Sequence, residues 1–373
     1  MHKKSIYIYQ LPNWPRFTWR MEVITPYLTQ VRYRQGYLIG RMESLGFKLQ
    51  EEANLKMLTL NVLKSSEIEG EMLNPDQVRS SIARRLGIEI AGLVQSDRNV
   101  DGIVEMMLDA TRNYKNELTA ERLFGWHSCL FPTGRSGMHK ITVGSWRNNK
   151  PDDPMQVISG AIGKERIHFQ APDAEVLGEE MNTFLTWFNE DQTMDAVLKA
   201  ALAHLWFVTI HPFDDGNGRI ARAIADMQLC RADATLYRFY SMSSQIRKER
   251  NIYYEVLEKT QQGSLDITAW IMWFLECLER SIDTTKENLA SVLAKAKFWE
   301  LHAETIMNGR QKMMVNRLLD GFDGKLTSSK WAKITKISQD TALRDIHDLL
   351  EKNVLLKENA GGRSTSYTIS ISE

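Results

Sequence analysis

The sequence predicts a mainly α-helical protein with one β-hairpin set into it and a small mixed unit at its C-terminal end. Three observations predict this. Apolar residues recur at helical spacing over most of residues 33–282. That period fails over residues 142–172, where Gly144, Gly160, Gly163, Pro151, Pro154 and Pro172 cluster. After residue 310, three short helical patterns are followed by two short β-patterned runs.

Residues 6–19 are aromatic, with Tyr7, Tyr9, Trp14, Phe17 and Trp19 broken by Pro12 and Pro15. They are expected to pack against a following helix; a peptide-binding groove is the alternative. Residues 33–47 and 51–69 read as helices, the second with Leu55, Leu58, Leu60, Val62 and Leu63 mostly toward the core. Ser65 and Glu69, four apart, share a face at its end, and Gly70 suits a helix C-cap. Lys64, Glu67 and Glu71 are expected to be solvated. Pro75 fits the first position of a new helix, read as 78–94, followed by helices at 99–114 and 118–130, with Thr119 as N-cap of the latter. His127 is expected to be structural. Residues 155–159 and 166–169 read as the strands of a surface hairpin turned at 160–164. Helices follow at 177–189, 194–210, from 218 onward, 245–262 and 265–282, with a connecting helix at 286–303. Helical patterns at 311–319, 328–334 and 339–350 and strands at 354–357 and 366–371 give the layout of a winged helix. Arg344 and His347 would face outward on its third helix, and Arg363 would sit on the wing.

Composition bounds the class. A chain of 373 residues, 43% hydrophobic and 25% charged, holds two or three domains with ordinary cores. We divide it into an N-terminal helical region (1–110), a catalytic core (111–283) and a linker helix with the winged-helix unit (284–373). Lys plus Arg and Asp plus Glu both number 47, so no global field recruits nucleic acid or membrane. Cys129, Cys230 and Cys277 are scattered and odd in number, which fits a reducing compartment. No apolar run reaches spanning length, and a cytoplasmic location is expected.

The chemistry concentrates at His211-Pro212-Phe213-Asp214-Asp215-Gly216-Asn217-Gly218-Arg219-Ile220-Ala221-Arg222. Pro212 and Gly216 end one helix, and another starts at Gly218, so a loop feeds a helix N-terminus that favours an anion. Gly216 and Gly218 allow close approach of a phosphate. Arg219 and Arg222 share a face. Asp214 and Asp215 are both candidates for a hard divalent cation, and His211 is the group suited to taking a proton near neutral pH. A plain turn with an N-cap would need neither the histidine nor both arginines.

This string resembles the signature of the Fic family, H-x-F-x-[D/E]-G-N-G-R-x-x-R, at every specified position. The resemblance implies a helical bundle with a β-hairpin flap, transferring AMP from ATP to a Ser, Thr or Tyr hydroxyl of a target protein. By it His211 is the base, Asp215 holds Mg²⁺, Gly216, Asn217 and Gly218 form the anion hole, and Arg219 and Arg222 hold the outer phosphates. The stretch at residues 65–70 resembles the family's inhibitory motif [S/T]-x-x-x-E-[G/N], on the helix at about 51–70. Ser65, Glu69 and Gly70 would match it, with Glu69 pairing Arg222. Tyr253, Tyr254 and Gln261 fall on the element that contributes to the family's adenosine pocket, with Gln261 standing where many relatives have Asn. The hairpin at about 155–170 matches the flap that aligns the target by β-augmentation, preceded by Trp146-Arg147. A homodimer is common among look-alikes. Three alternatives stay open: transfer of UMP, GMP or a phosphoryl group, removal of AMP by the same site, and a DNA-binding regulator acting through residues 310–373.

Overall fold

The computed structural model describes residues 6–370 apart from 91, 161–165, 192, 320, 321, 323 and 359–364. Two units divide the chain, one built from residues up to 44 and 53–285, the other from 45–52 and 286–373.

A 3₁₀ turn at Ile8–Gln10 precedes α1 (Met21–Glu43), α2 (Phe47–Ile68), α3 (Pro75–Leu86), α4 (Arg98–Arg112) and α5 (Ala120–Leu130). Two antiparallel hairpins follow, β1 (Arg135–Ser136) with β2 (His139–Lys140) and β3 (Gln156–Ser159) with β4 (Arg166–Gln170). The first unit ends with α6 (Leu177–Glu190), α7 (Ala196–Ile210), α8 (Asn217–Asp233), α9 (Met242–Lys248), α10 (Arg250–Gln261) and α11 (Thr268–Asp283).

The helix starts obey their side chains. Asn74 accepts from the Asp76 and Gln77 amides ahead of Pro75, Thr119 from Arg122, and Asp195 from Val197. The centre is α7, buried on every face from Val197 to Ile210. Phe207 and Leu205 meet Phe184 and Phe188 of α6 and Trp270 and Phe274 of α11 in one core. Each fully buried Leu or Phe side chain there contributes roughly 1.5–3 kcal/mol. The motif helix α8 lies along α7, so the loop between them is held by two buried helices. The aromatic N-terminal segment packs as expected on later helices. Trp14 and Phe17 meet Trp206, and Tyr7 and Tyr9 pack edge-on against Phe169 of β4.

The second unit contains α13 (Ala290–Leu301), preceded by α12 (Thr285–Asn288), then α14 (Gly309–Leu319), α15 (Ser328–Thr335), α16 (Gln339–Glu351), β5 (Leu355–Lys357) and β6 (Tyr367–Ile369). Its core gathers Met314, Val315, Trp331, Ile346, Leu349, Val354 and Leu355. Arg344 and His347 are exposed on α16; Arg363 lies outside the described residues, as does most of the hairpin turn at 160–164. Among the described residues no helix is long and apolar enough to cross a membrane.

Four helix bounds differ from expectation. The first long helix starts at Met21 and ends at Glu43, tolerating Pro26 in its second turn. The helix expected to reach 94 stops at Leu86, because Gly87 (φ +69°) caps it in the left-handed region. The span 245–262 is two helices, divided at Glu249, whose carboxylate is gripped by Arg280 at 2.6 and 2.7 Å. The span 286–303 is divided at Leu289.

Candidate active site

At the end of α7, His211 adopts φ +53° and ψ +56°, a conformation that costs a non-glycine residue energy and is held only by its surroundings. The holder is Arg147. Its Nε donates to the His211 carbonyl at 2.8 Å, its backbone N–H to Pro212 O at 2.9 Å, and its Nη2 to Pro172 O at 2.5 Å. One buried guanidinium thus ties the loop after α7 to the chain leaving β4. Burial brings Arg147 down to about 10. The His211 ring sets Nδ1 3.3 Å from Val208 O. A carbonyl only accepts, so Nδ1 carries the proton and Nε2 keeps its lone pair. Burial pushes the imidazole down to about 4, against the pull of that carbonyl, and Arg147 depresses it further. His211 is therefore neutral at pH 7.

Phe213 is the apolar plug of the loop. It stacks on His127 at 4.2 Å and meets Trp146 at 5.1 Å. His127 itself is buried, with Nε2 3.2 Å from the Asp215 carbonyl. Asn217 closes the loop, its Nδ2 donating to Phe213 O (2.7 Å) and its Oδ1 accepting from Phe213 N (3.0 Å). That side chain is spent on bracing, which leaves the Asn217 backbone for an anion. Asp214 accepts from Thr142 N at 2.8 Å. Asp215 accepts from Ser136 Oγ and from Gly216 N, and its side chain remains 43% exposed.

The α8 N-terminus is an anion platform, and a carboxylate already lies on it. Gly216 (φ +81°) caps the helix in the left-handed region, against Phe131. A Cβ at Gly218 would collide with the Glu69 carboxylate. Glu69 Oε1 pairs with Arg222 Nη2 at 2.7 Å. Arg222 is also held by Ser65, Nε to Oγ at 3.0 Å and Nη2 to the carbonyl at 2.9 Å. Burial works against the Arg222 charge; Glu69, Tyr253 and Tyr254 outweigh it and leave the guanidinium above its ordinary value.

Gly70 (φ +86°) turns the chain after α2, with Glu71 N donating to Ser66 O at 3.0 Å. That turn brings Glu71 onto the other motif arginine, Oε2 to Arg219 Nη1 at 2.7 Å. Glu71, half-buried, is therefore an ion-pair partner rather than a freely solvated side chain. Glu67 likewise pairs with Lys64 and, at 3.0 Å, with Arg247.

What places α2 against α8 is a polar stripe. Asn54, Asn61, Ser65 and Glu69 are spaced by seven, four and four, hence on one face. Asn54 Oδ1 accepts from Arg238 N at 2.8 Å, and Asn61 Nδ2 donates to Asp226 Oδ2 at 2.8 Å. Asp226, on α8, is bridged in turn to Arg238 at 2.7 Å. Buried polar partners fix helix register, because a slip would strand each of them unpaired.

The three residues on α10 part company. Tyr254 is at the site, its hydroxyl 3.5 Å from Glu69 Oε2. Tyr253 is buried, with its hydroxyl 3.0 Å from His204 Nε2. Gln261 is buried too, donating to Thr209 Oγ1 at 3.3 Å.

Residues 117–229 match the Fic/DOC family, and residues 7–88 match the family described as Domain of unknown function (DUF4172). The chain is similar to the protein adenylyltransferase Fic of Culex quinquefasciatus, 35% identical over 229 residues, 60% of this chain and 40% of that protein. It is 36% identical to that of Nematostella vectensis over 116 residues, 30% of this chain and 25% of that protein. It thus spans two-fifths or less of the length of these two relatives. In fold it is similar to a Fic family protein from Desulfovibrio desulfuricans G20, with a TM-score of 0.57 at 18% identity, covering 94% of this chain and 98% of that one. A Fic domain containing signaling protein from Bacteroides thetaiotaomicron VPI-5482 gives 0.51 at 20% identity, covering 70% and 97%. The loop and helix start that carry His211, Glu69's partner Arg222 and the anion platform all fall within residues 117–229, the part of the chain that matches the Fic/DOC family.

Proposed function

We propose that this protein transfers AMP from ATP to a Ser, Thr or Tyr hydroxyl of a target protein, and that Glu69 restrains it. The observation that carries the reading is the Glu69 carboxylate lying over Gly218 in an ion pair with Arg222. A negative group rests there on helix-terminal N–H groups and a buried guanidinium, which is the setting a polyphosphate needs. Two buried donors, Arg219 Nε and Arg222 Nη1, have no hydrogen-bond partner among the described residues, and they suit phosphate oxygens. The curated relatives carry the name protein adenylyltransferase.

In this reading the α-phosphate lies on the amides of 216–218, and Arg219 and Arg222 bind the outer phosphates. The partly exposed Asp215 carboxylate suits Mg²⁺, which binds through one or two carboxylates together with substrate phosphates. When bound, the ion neutralises charge building on the leaving pyrophosphate. His211 Nε2 takes the proton of the acceptor hydroxyl as that oxygen attacks. The acceptor segment pairs with β3, whose Val157 and Ile158 are exposed. Chemistry of this type is positioning and charge stabilisation, which loops held by Arg147 and Asn217 supply.

The test is incubation of Glu69→Gly with lysate and labelled ATP. Labelled proteins carrying the mass of AMP are expected, and the label should vanish on adding His211→Ala. Absence of transfer by Glu69→Gly, with ATP bound, rules the reading out; a different added mass redirects it to another nucleotide.

A second reading concerns the C-terminal unit. Helices α15 and α16 are joined by a three-residue turn through Lys336 (φ +54°), and Leu326 bridges Tyr367 beside the β5–β6 hairpin. That arrangement favours a winged helix contacting DNA through Arg344 and His347. Salt-dependent binding to duplex DNA, weakened in Arg344→Ala, is expected; binding indifferent to salt and to that variant rejects it.

A further inference from the structure

The end of α2 delivers two carboxylates to the motif, and the second is held as closely as the first. Glu71 uses both of its oxygens. Oε2 accepts from Arg219 Nη1 at 2.7 Å, and Oε1 accepts from Nδ2 of Asn99, in the first turn of α4, at 2.5 Å. Its backbone N–H is spent on the Ser66 carbonyl at 3.0 Å, in the turn that Gly70 makes at φ +86°. Three elements, the end of α2, α4 and α8, thus fix one side chain. A glutamate that only faced water would need none of these partners. The arginine it meets is 7% exposed. That guanidinium lies over the Phe131 ring, 5.0 Å from its centroid, and its Nη2 is 4.0 Å from Asp215 Oδ2. Glu71 is therefore the nearer of its two carboxylates, and the pair is a charge-assisted hydrogen bond.

Arg219 and Arg222 stand three apart on α8 and face the same region. Glu69 engages Arg222 alone, so a site freed of Glu69 still presents Arg219 with a carboxylate on it. We propose that Glu71 is a second restraining residue, positioned by Asn99, which occupies Arg219 and sets how tightly the outer phosphates of a nucleotide bind. This rests on the reading of the motif as an ATP site. Because the two carboxylates act on different arginines, the effect of Glu71 depends on the length of the phosphate chain. A nucleoside monophosphate rests its one phosphate on the amides of 216–218 and does not reach Arg219. A triphosphate reaches it, and without Glu71 gains a free donor and loses a repelling charge. Glu71 thus selects against long phosphate chains in the resting protein.

Calorimetric titration of the full chain with a non-hydrolysable ATP analogue and with AMP tests it, beside a thermal melt of each variant. Glu71→Gln should tighten the ATP analogue about 3- to 30-fold over the parent. The comparison is repeated on a Glu69→Ala background, which opens the platform and keeps the helical backbone. There, adding Glu71→Gln should again tighten the ATP analogue and leave AMP affinity within about twofold. Asn99→Ala keeps the Glu71 charge and loosens its hold, so it should move ATP affinity in the same direction by less. ATP binding unchanged or weakened in Glu71→Gln, with a lowered melt, makes the residue structural support and overturns the proposal. Equal tightening of AMP overturns it as well, because Arg219 would not be the group released. An Asn99→Ala chain that binds ATP as the parent does overturns the positioning role. Tightening by Glu69→Ala with none from Glu71→Gln rejects Glu71 and leaves the ATP reading standing. No ATP bound by the double variant rejects the ATP reading, and this proposal with it.

Discussion

Replacing Glu69 by Gln keeps the size of the side chain and removes its charge. Two unit charges about 4 Å apart attract by about 4 kcal/mol at an effective dielectric near 20. Glu69 is 31% exposed and Arg222 2% exposed, so screening and side-chain ordering offset much of this, leaving about 1–3 kcal/mol. The same figure enters two measurements with opposite signs. Thermal stability without ligand should fall, because Arg222 keeps its charge and loses a partner. Affinity for a non-hydrolysable ATP analogue should rise by about 5- to 150-fold, because the phosphates no longer displace a carboxylate. Calorimetric titration and a thermal melt on one preparation read both. A melt lowered with affinity unchanged would show the pair to be structural support, and the reasoning about competition for Arg222 would be refuted.

The remaining predictions concern the loop and the buried imidazoles. His211→Ala should bind the ATP analogue as the parent does while transfer falls about 10²- to 10⁴-fold, the usual share of a positioned base; lost binding would mean the ring supports the loop instead. Asn217→Ala removes both ends of a buried bracing amide and strands the Phe213 N–H and carbonyl, so urea denaturation should show a loss of about 2–4 kcal/mol, with nucleotide affinity reduced. His127, His204 and His211 are held by burial at about 4, 3 and 4. Their folded values lie below the unfolded value of roughly 6.5, so the unfolded chain binds more protons across the gap. Their contribution is whole above about pH 6.5 and drains as pH falls towards 4 and below, and melting temperatures across that window should drop. A melt flat from pH 7 to 4.5 would show these rings to be solvated.

The sequence made some of this legible and hid the rest, for identifiable reasons. The helices and the hairpin could be read because periodicity and Gly/Pro punctuation are local signals. The motif could be read because its groups are contiguous: one turn of chain supplies histidine, carboxylates, glycines and arginines. Where the local signal is a single residue, as at Gly87, only a helix end differs. The split at Glu249 had no local signal, since neither Gly nor Pro stands there; its carboxylate is held by the distant Arg280. On α2, the apolar Leu55, Leu58 and Val62 run beside the stripe of Asn54, Asn61, Ser65 and Glu69 and mask it. Polar residues recurring at helical spacing on an otherwise apolar helix were the available clue. Arg147 stood beside Trp146 as part of a loop, and nothing in its neighbours announced that it clamps the His211 carbonyl.

The pairing of Glu71 with Arg219 extends the restraint proposed for Glu69. A single carboxylate facing a polyphosphate is outmatched in charge, yet it starts with an advantage. It is carried on a helix whose register is fixed by buried amides, so its ordering cost was met when the chain folded. Its local concentration is that of an intramolecular group. With Glu69 on Arg222 and Glu71 on Arg219, both motif guanidiniums are engaged from one helix end, and Gly70 is the hinge that lets the chain reach both. Displacing one carboxylate leaves the other in place, whereas moving the end of α2 frees both at once. On the proposed reading, a signal acting on that helix end, and not nucleotide concentration alone, is therefore the efficient way to release the site.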